Sequence, residues 1–349
     1  MTALAQAIKK VATGPHLSKD LTQQEAEAAM SEILSGQFDL VQAAIFFIAL
    51  RIKRETNEEN LGVLKALQAC TEQTVGEVDQ LLIISDPFNG YNRHCPITAF
   101  LPAVLAASGL PTLSQGVKEM GPKFGVTHSQ VLAAAGMNVD LSPQAVTERL
   151  NNPALAWAFI DQQHATPELF ALQDLRTRMI KRPCLATLEK LIMPVKAQGK
   201  THLQIGFVHK EYPPILARLA QQMGFESSLI IRGIEGGILP TLRELSNCFR
   251  SFNGELQQCA FDPSEFGIEQ TTRGVLPVRD DKVTAEQTVE LGIQALDGQS
   301  GPAFDSLVFG GAMALWHCGL EQSQQQAAVY IRQTIESGKA KAYFERGMG

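Results

Sequence analysis

The sequence predicts an α/β protein: a small N-terminal helical domain over residues 1–78, and a large domain over 79–349 built on a mainly parallel central sheet. Three observations predict it. The first seventy residues carry helix punctuation and no strand pattern. From Leu81 onward, short apolar runs alternate with helical patterns, which calls for parallel strands joined by crossovers. Loops marked by glycine then fall between strand ends and helix starts, where open α/β sheets hold anions.

Each element has its own signal. Thr22-Gln-Gln-Glu25 is a capping box with Leu21 as its staple residue, and Ala26, Ala29, Met30, Ile33 and Leu34 form one apolar face behind it. Gly36 is a helix stop. Asp39-x-x-Gln42 opens a second helix, apolar nearly all round over residues 43–50. Such a helix needs cover from the large domain or from a second subunit, and a homodimer contact is the expectation. Thr56-x-x-Glu59 opens a third, running towards Cys70.

Residues 81–85 read as a buried strand, and Asp86-Pro-Phe-Asn-Gly-Tyr-Asn-Arg93 as a loop. A helix over 97–108, a turn and strand over 109–113, and a glycine-punctuated loop over 114–125 follow, the loop opening onto a helix at 130–136. Together the two loops make an anion cradle. Further on come a helix at 142–150, an apolar stretch at 154–160, a basic helical segment at 168–181 and strands at 202–208 and 228–232 separated by a helix. The second of those strands delivers Gly233-Ile-Glu-Gly-Gly237, with a helix expected over 241–245. Irregular strands are expected in the polar stretch 249–272, then helices near 285–296, 305–319 and 324–337.

Composition sets bounds. Charged residues are 19% and hydrophobic ones 45% of 349, an ordinary globular balance, and no apolar run reaches a membrane span. The lysines at 9 and 10 follow the apolar residues, the reverse of a secretory signal, so a cytoplasmic protein is expected. Six cysteines without CxxC spacing read as reduced, packed thiols. A net charge of −6 gives no global attraction for nucleic acid, but leaves room for a local basic face.

The order and spacing of Leu21-Thr-Gln-Gln-Glu-Ala26, Ile33-Leu-Ser-Gly36, Gly109-Leu-Pro111, Val131-Leu-Ala-Ala-Ala-Gly136, Glu265-Phe-Gly-Ile268 and Ile335-Glu-Ser-Gly-Lys-Ala340 resemble anthranilate phosphoribosyltransferase along nearly the whole chain. The resemblance implies a helical domain hinged around residues 168–190 to an α/β domain, the nucleoside phosphorylase/phosphoribosyltransferase fold. It also implies phosphoribosyl pyrophosphate and Mg2+ in the cleft between them.

The chain departs from that family where the chemistry would sit. The family's diphosphate loop, Gly-Thr-Gly-Gly-Asp, reads Asp86-Pro-Phe-Asn-Gly90 here, and Pro87 removes a donor while Phe88 adds bulk. Its Lys-His-Gly-Asn-Arg motif becomes Ser114-Gln-Gly-Val-Lys118. Its magnesium-holding Asp-Glu pair falls on Glu235-Gly236, one carboxylate of two, which makes Glu235 a weak candidate metal ligand or a helix cap. Arg176 stands where the family places an arginine for the anthranilate carboxylate. Gln115-Gly116, Gly125-Val-Thr-His-Ser-Gln-Val-Leu132 and Arg232-Gly-Ile-Glu-Gly-Gly237 resemble most closely a divergent, apparently non-catalytic branch that binds nucleic acid through a basic groove.

Candidate phosphate or nucleic-acid contacts are therefore Asn89, Gly90, Arg93, Gly116, Lys118 and Lys123 in the cradle. Arg176, Arg178, Lys181 and Arg182, with Lys190 and Lys196 against the single acid Glu189, read either as a cationic wall of the cleft or as a solvated helix face. Phe88 and Tyr91 are candidates to stack a base, or else Phe88 fills space left by missing glycines. His164 and His209 read as cleft residues or as packed histidines. No nucleophilic triad, P-loop or dinucleotide fingerprint is legible. Two functions follow: a binding protein for phosphate-rich ligands such as nucleic acid, or a phosphoribosyltransferase with anthranilate or another aromatic acceptor.

Overall fold

In the computed structural model, which describes residues 1–14, 16–279 and 282–348, four helices open the chain. These are α1 (Ala3–Val11), α2 (Gln23–Leu34), α3 (Leu40–Lys53) and α4 (Asn57–Ala69). Thr22 and Thr56 accept the backbone N–H three residues on, and Glu25 and Glu59 accept from the cap N–H in return, so both boxes form in full. Glu59 is fully buried and also accepts from the Leu21 N–H and Lys53 Nζ, each at 2.9 Å. It thus pins the start of α4 to the segment before α2 and to the end of α3.

Among the described residues nine strands follow: β1 (Thr74–Gly76), β2 (Gln80–Ser85), β3 (Thr112–Gly116), β4 (Trp157–Asp161), β5 (Val195–Ala197), β6 (Lys200–Phe207), β7 (Ser227–Arg232), β8 (Ser246–Phe252) and β9 (Glu255–Phe261). β1 and β5 form a small parallel pair. The other seven make one sheet in the order β4-β3-β2-β6-β7-β8-β9, parallel from β4 to β7 and antiparallel at the β8–β9 edge.

Between and after them lie α5 (Leu101–Ala107), α6 (His128–Ala134), α7 (Pro143–Asn151), the short α8 (Gln162–Ala165), α9 (Pro167–Phe170), α10 (Gln173–Arg178) and α11 (Leu185–Leu188), then α12 (Tyr212–Gln222), α13 (Ala285–Leu296), α14 (Pro302–His317), α15 (Gln324–Glu336) and α16 (Lys339–Arg346). The sheet is covered on both faces, which explains the unbroken apolar run of β2. Leu82 and Ile84 pack into the core with α5 and α14, whereas Leu81 and Ile83 pack into the core shared with α2, α3 and α4.

Four expectations change. Ser114–Gly116 belong to β3, because Ser114 and Gln115 pair with Ile84 and Ser85, so that loop begins three residues later. The basic segment breaks into α9 and α10, and Pro167 starts the first of them. No helix forms over 241–245, where the Leu242 N–H donates instead to the Arg273 carbonyl. The polar stretch after 249 includes the regular β8–β9 hairpin.

All six cysteines are free thiols, and burial pushes Cys318 up to about 12 and Cys70 to about 11. Among the described residues no helix is long and apolar enough to cross a membrane. α3 buries Ala43, Phe46, Phe47 and Leu50, yet leaves Val41, Ile45 and Ile52 at 65, 43 and 75% exposure in one stripe along its outer face.

Candidate functional site

The carboxyl ends of β2, β6 and β7, the segment from α10 to α11 and the end of α3 enclose a cleft of about 390 Å³. Arg51 enters it from the helical domain and donates to the Arg182 carbonyl at 2.6 Å, so both domains share the wall. Lys181 and Arg182 line it with exposed side chains. Phe207, Val208, His209 and Tyr212 add a more apolar part of the lining.

The two loops that follow β2 and β3 are stitched to each other rather than left open. The Gly125 N–H donates to the Asn89 carbonyl, and Tyr91 and Val126 exchange backbone bonds. Gly90 sits at φ +69°, and a Cβ there would lie 2.3 Å from the Gly125 carbonyl oxygen. Lys123 donates to the Gly90 carbonyl. Asp86, at the end of β2, is 4% exposed and accepts from Tyr91 Oη (2.7 Å), Thr98 Oγ1 (2.7 Å) and the Ile238 N–H (3.0 Å), with His128 Nε2 at 2.6 Å. Burial alone would raise its pKa, but His128 and the hydroxyl donors hold it below the usual value.

Glu235 is the centre of the second arrangement. Its carboxylate accepts from the successive N–H groups of Asn92 (3.1 Å), Arg93 (3.0 Å) and His94 (3.1 Å). His94 Nδ1 lies at 3.2 Å and Lys123 Nζ at 2.8 Å. Burial would raise its pKa too, yet His94, Lys123 and the Asn92 N–H carry it well below the carboxylate range. Lys123 shifts down in turn, chiefly by burial, against the pull of Glu235 and with Arg182 and Arg93 adding repulsion.

These placements revise the site expected from sequence. Asn89 and Glu235 line the cleft, and Gly90, the Arg93 main chain and Lys123 join around Glu235. The Arg93 side chain is exposed. Gly116 lies apart, under the Phe159 ring. Lys118 is exposed, and its carbonyl accepts from Thr127 Oγ1 at 2.9 Å. Phe88 and Tyr91 are each 5% exposed and have no free face for a base.

The basic wall also changes. Arg176 lines the cleft but is 3% exposed, and its two terminal nitrogens are held by Glu189 at 2.6 and 2.8 Å. Arg178 points away and pairs with Asp174 at 3.3 Å. Lys190 donates to the Gly206 carbonyl at 2.7 Å, and burial lowers it to about 8 despite Asp86 and Glu189. His209 lines the cleft, while His164 lies 3.4 Å from Asp140.

Glu235 does not fit a magnesium ligand in this arrangement, because every neighbour of its oxygens is a donor or a cation. Among the described residues no group of three or more His, Cys, Asp or Glu side chains is placed to hold a metal ion. Sequence reasoning missed Asp86, His94, Thr98 and His128. The legible signal was the position of Asp86 at a strand's carboxyl end.

Comparison with known proteins agrees with this architecture. Residues 5–70 match the helical bundle domain of a glycosyl transferase family, and residues 90–341 match its a/b domain. The chain is 26% identical over 343 residues to an anthranilate phosphoribosyltransferase of Methanobrevibacter smithii, covering 98% of each. It is 25% identical over 327 residues to an uncharacterized protein of Aquifex aeolicus, covering 93% of this chain and 97% of that one. Anthranilate phosphoribosyltransferase from Thermus thermophilus superposes with a TM-score of 0.79 at 19% identity, over 100% of this chain and 98% of the other. The Saccharomyces cerevisiae anthranilate phosphoribosyltransferase in complex with PRPP and Mg gives 0.79 at 16%, over 99% and 96%. The chain belongs to this glycosyl transferase family, and it has the fold of the anthranilate phosphoribosyltransferases.

Proposed function

We propose that this protein binds phosphate-rich ligands, nucleic acid above all, in the interdomain cleft, and that it does so on an enzyme's fold without phosphoribosyl transfer. The observation that carries this is the division of charge. Glu189 and Glu235, the acids lining the cleft, are each matched by a cation, Arg176 and Lys123. Arg51, Lys181 and Arg182 are the exposed cations of the lining and set its field. Phosphoribosyl transfer needs free donors and metal on the leaving diphosphate. Here the loop donors at residues 92–94 and 238 already serve Glu235 and Asp86.

Replacing Lys181 and Arg182 together by alanine is expected to weaken binding of a labelled oligonucleotide and to reduce the slope of log K against log salt by roughly 1–2. Unchanged affinity and slope would remove both residues from the binding surface.

A second reading, an active phosphoribosyltransferase, is favoured by the full-length similarity to anthranilate phosphoribosyltransferases, one of them solved with PRPP and Mg. Turnover of anthranilate with phosphoribosyl pyrophosphate and Mg2+ would establish it and displace the first.

The exposed stripe of α3 supports a homodimer through the helical domain. Sedimentation should give a dimer, and Val41→Asp with Ile45→Asp should shift it to a folded monomer. A monomeric wild-type chain would refute the contact.

A further inference from the structure

Three consecutive main-chain N–H groups pointing at one carboxylate make a concave anion site, the kind of backbone nest that also holds phosphate. Lys123 and His94 close the sides, and the Glu235 side chain is 3% exposed among them. Glu235 itself sits at φ +53°, in the left-handed region that glycine adopts at no steric cost, with Gly233, Gly236 and Gly237 around it. A strained backbone at a non-glycine residue needs a compensating interaction, and the five donor contacts supply it. The residue also lines the cleft, so the nest opens onto it once the carboxylate is gone.

We propose that the Asn92–His94 nest with Lys123 is an oxyanion site for a phosphate group, and that Glu235 occupies it as an internal ligand and so excludes small phosphates from the cleft. The carboxylate matches a phosphate edge in charge sign and acceptor geometry. It is tethered, so it competes at a high effective concentration. Glu235 is then a specificity-determining residue. It rejects ligands whose binding depends on this one phosphate position, and leaves ligands that spread their charge over the rim at Lys181 and Arg182. The proposal stands apart from the polymer-binding reading, because its probe is inorganic phosphate and its readout is gain of binding.

The test is isothermal titration with inorganic phosphate of the full chain, wild type against Glu235→Gly and Glu235→Gln. Glycine accepts the backbone conformation and vacates the nest, so about tenfold or tighter phosphate binding than wild type is expected. Glutamine keeps the shape without the charge and should give a smaller gain. Equal phosphate affinity in wild type and in a folded Glu235→Gly protein overturns the assignment. Should the glycine variant fail to fold, a Glu235→Gln protein that binds phosphate no better than wild type overturns it equally.

Discussion

Asp86→Ala is expected to lower the free energy of unfolding by about 3–5 kcal/mol, the largest effect of any single change near the cleft. The carboxylate joins four pieces of chain: Tyr91 in its own loop, Thr98 before α5, His128 at the start of α6 and the Ile238 N–H beyond β7. Removing it leaves donors at each of those positions in a region that water does not reach. His128 keeps Ser114 Oγ at 3.0 Å and Thr98 Oγ1 at 2.9 Å, but loses the carboxylate that lies 2.6 Å from its Nε2. Asp86→Asn, which retains one acceptor and the shape, should cost less. Urea unfolding of the three proteins measures the series, and an alanine variant within about 1 kcal/mol of wild type would show that the cradle does not depend on this group.

Glu189→Ala should be nearly as costly, about 3–5 kcal/mol, because it strands the Arg176 guanidinium without a counter-ion at a site 3% exposed. Gln162 Nε2, 3.0 Å from Glu189 Oε2, loses its partner as well. Replacing both members, Arg176→Met with Glu189→Leu, should recover most of the loss, since apolar groups of similar size need no charge partner. The comparison separates structure from binding. If Arg176 were a ligand-binding cation, Arg176→Met with Glu189→Leu would abolish oligonucleotide binding while restoring stability. The geometry predicts restored stability with binding kept, the exposed pair Lys181 and Arg182 being intact.

Much of the fold was written in local pattern. The capping boxes at Thr22 and Thr56 and the period of α2 are short-range chemistry, and the β2, β6 and β7 runs are apolar because the sheet is covered twice. What escaped was set by tertiary contact. Ser114 and Gln115 look like loop residues until β2 and β4 pair with them on either side. The site was legible as a position and illegible as chemistry. The loop between Asp86 and Arg93 was found, but a row of cations in sequence carries no sign of which acids face it. Glu189, thirteen residues from Arg176, and Glu235, more than a hundred from Lys123, are brought up only by the fold. Charge runs therefore overstate the free positive field of this cleft.

The measurement that bears most directly on the account is a titration of a labelled oligonucleotide by fluorescence anisotropy at several salt concentrations, in the absence of Mg2+. A cleft whose rim cations contact several phosphates predicts binding that weakens linearly in log K with log salt, with a slope of roughly −0.7 to −0.9 per phosphate contacted. Absence of binding at low salt, or an affinity indifferent to salt, would contradict it and leave phosphoribosyl transfer as the reading to pursue.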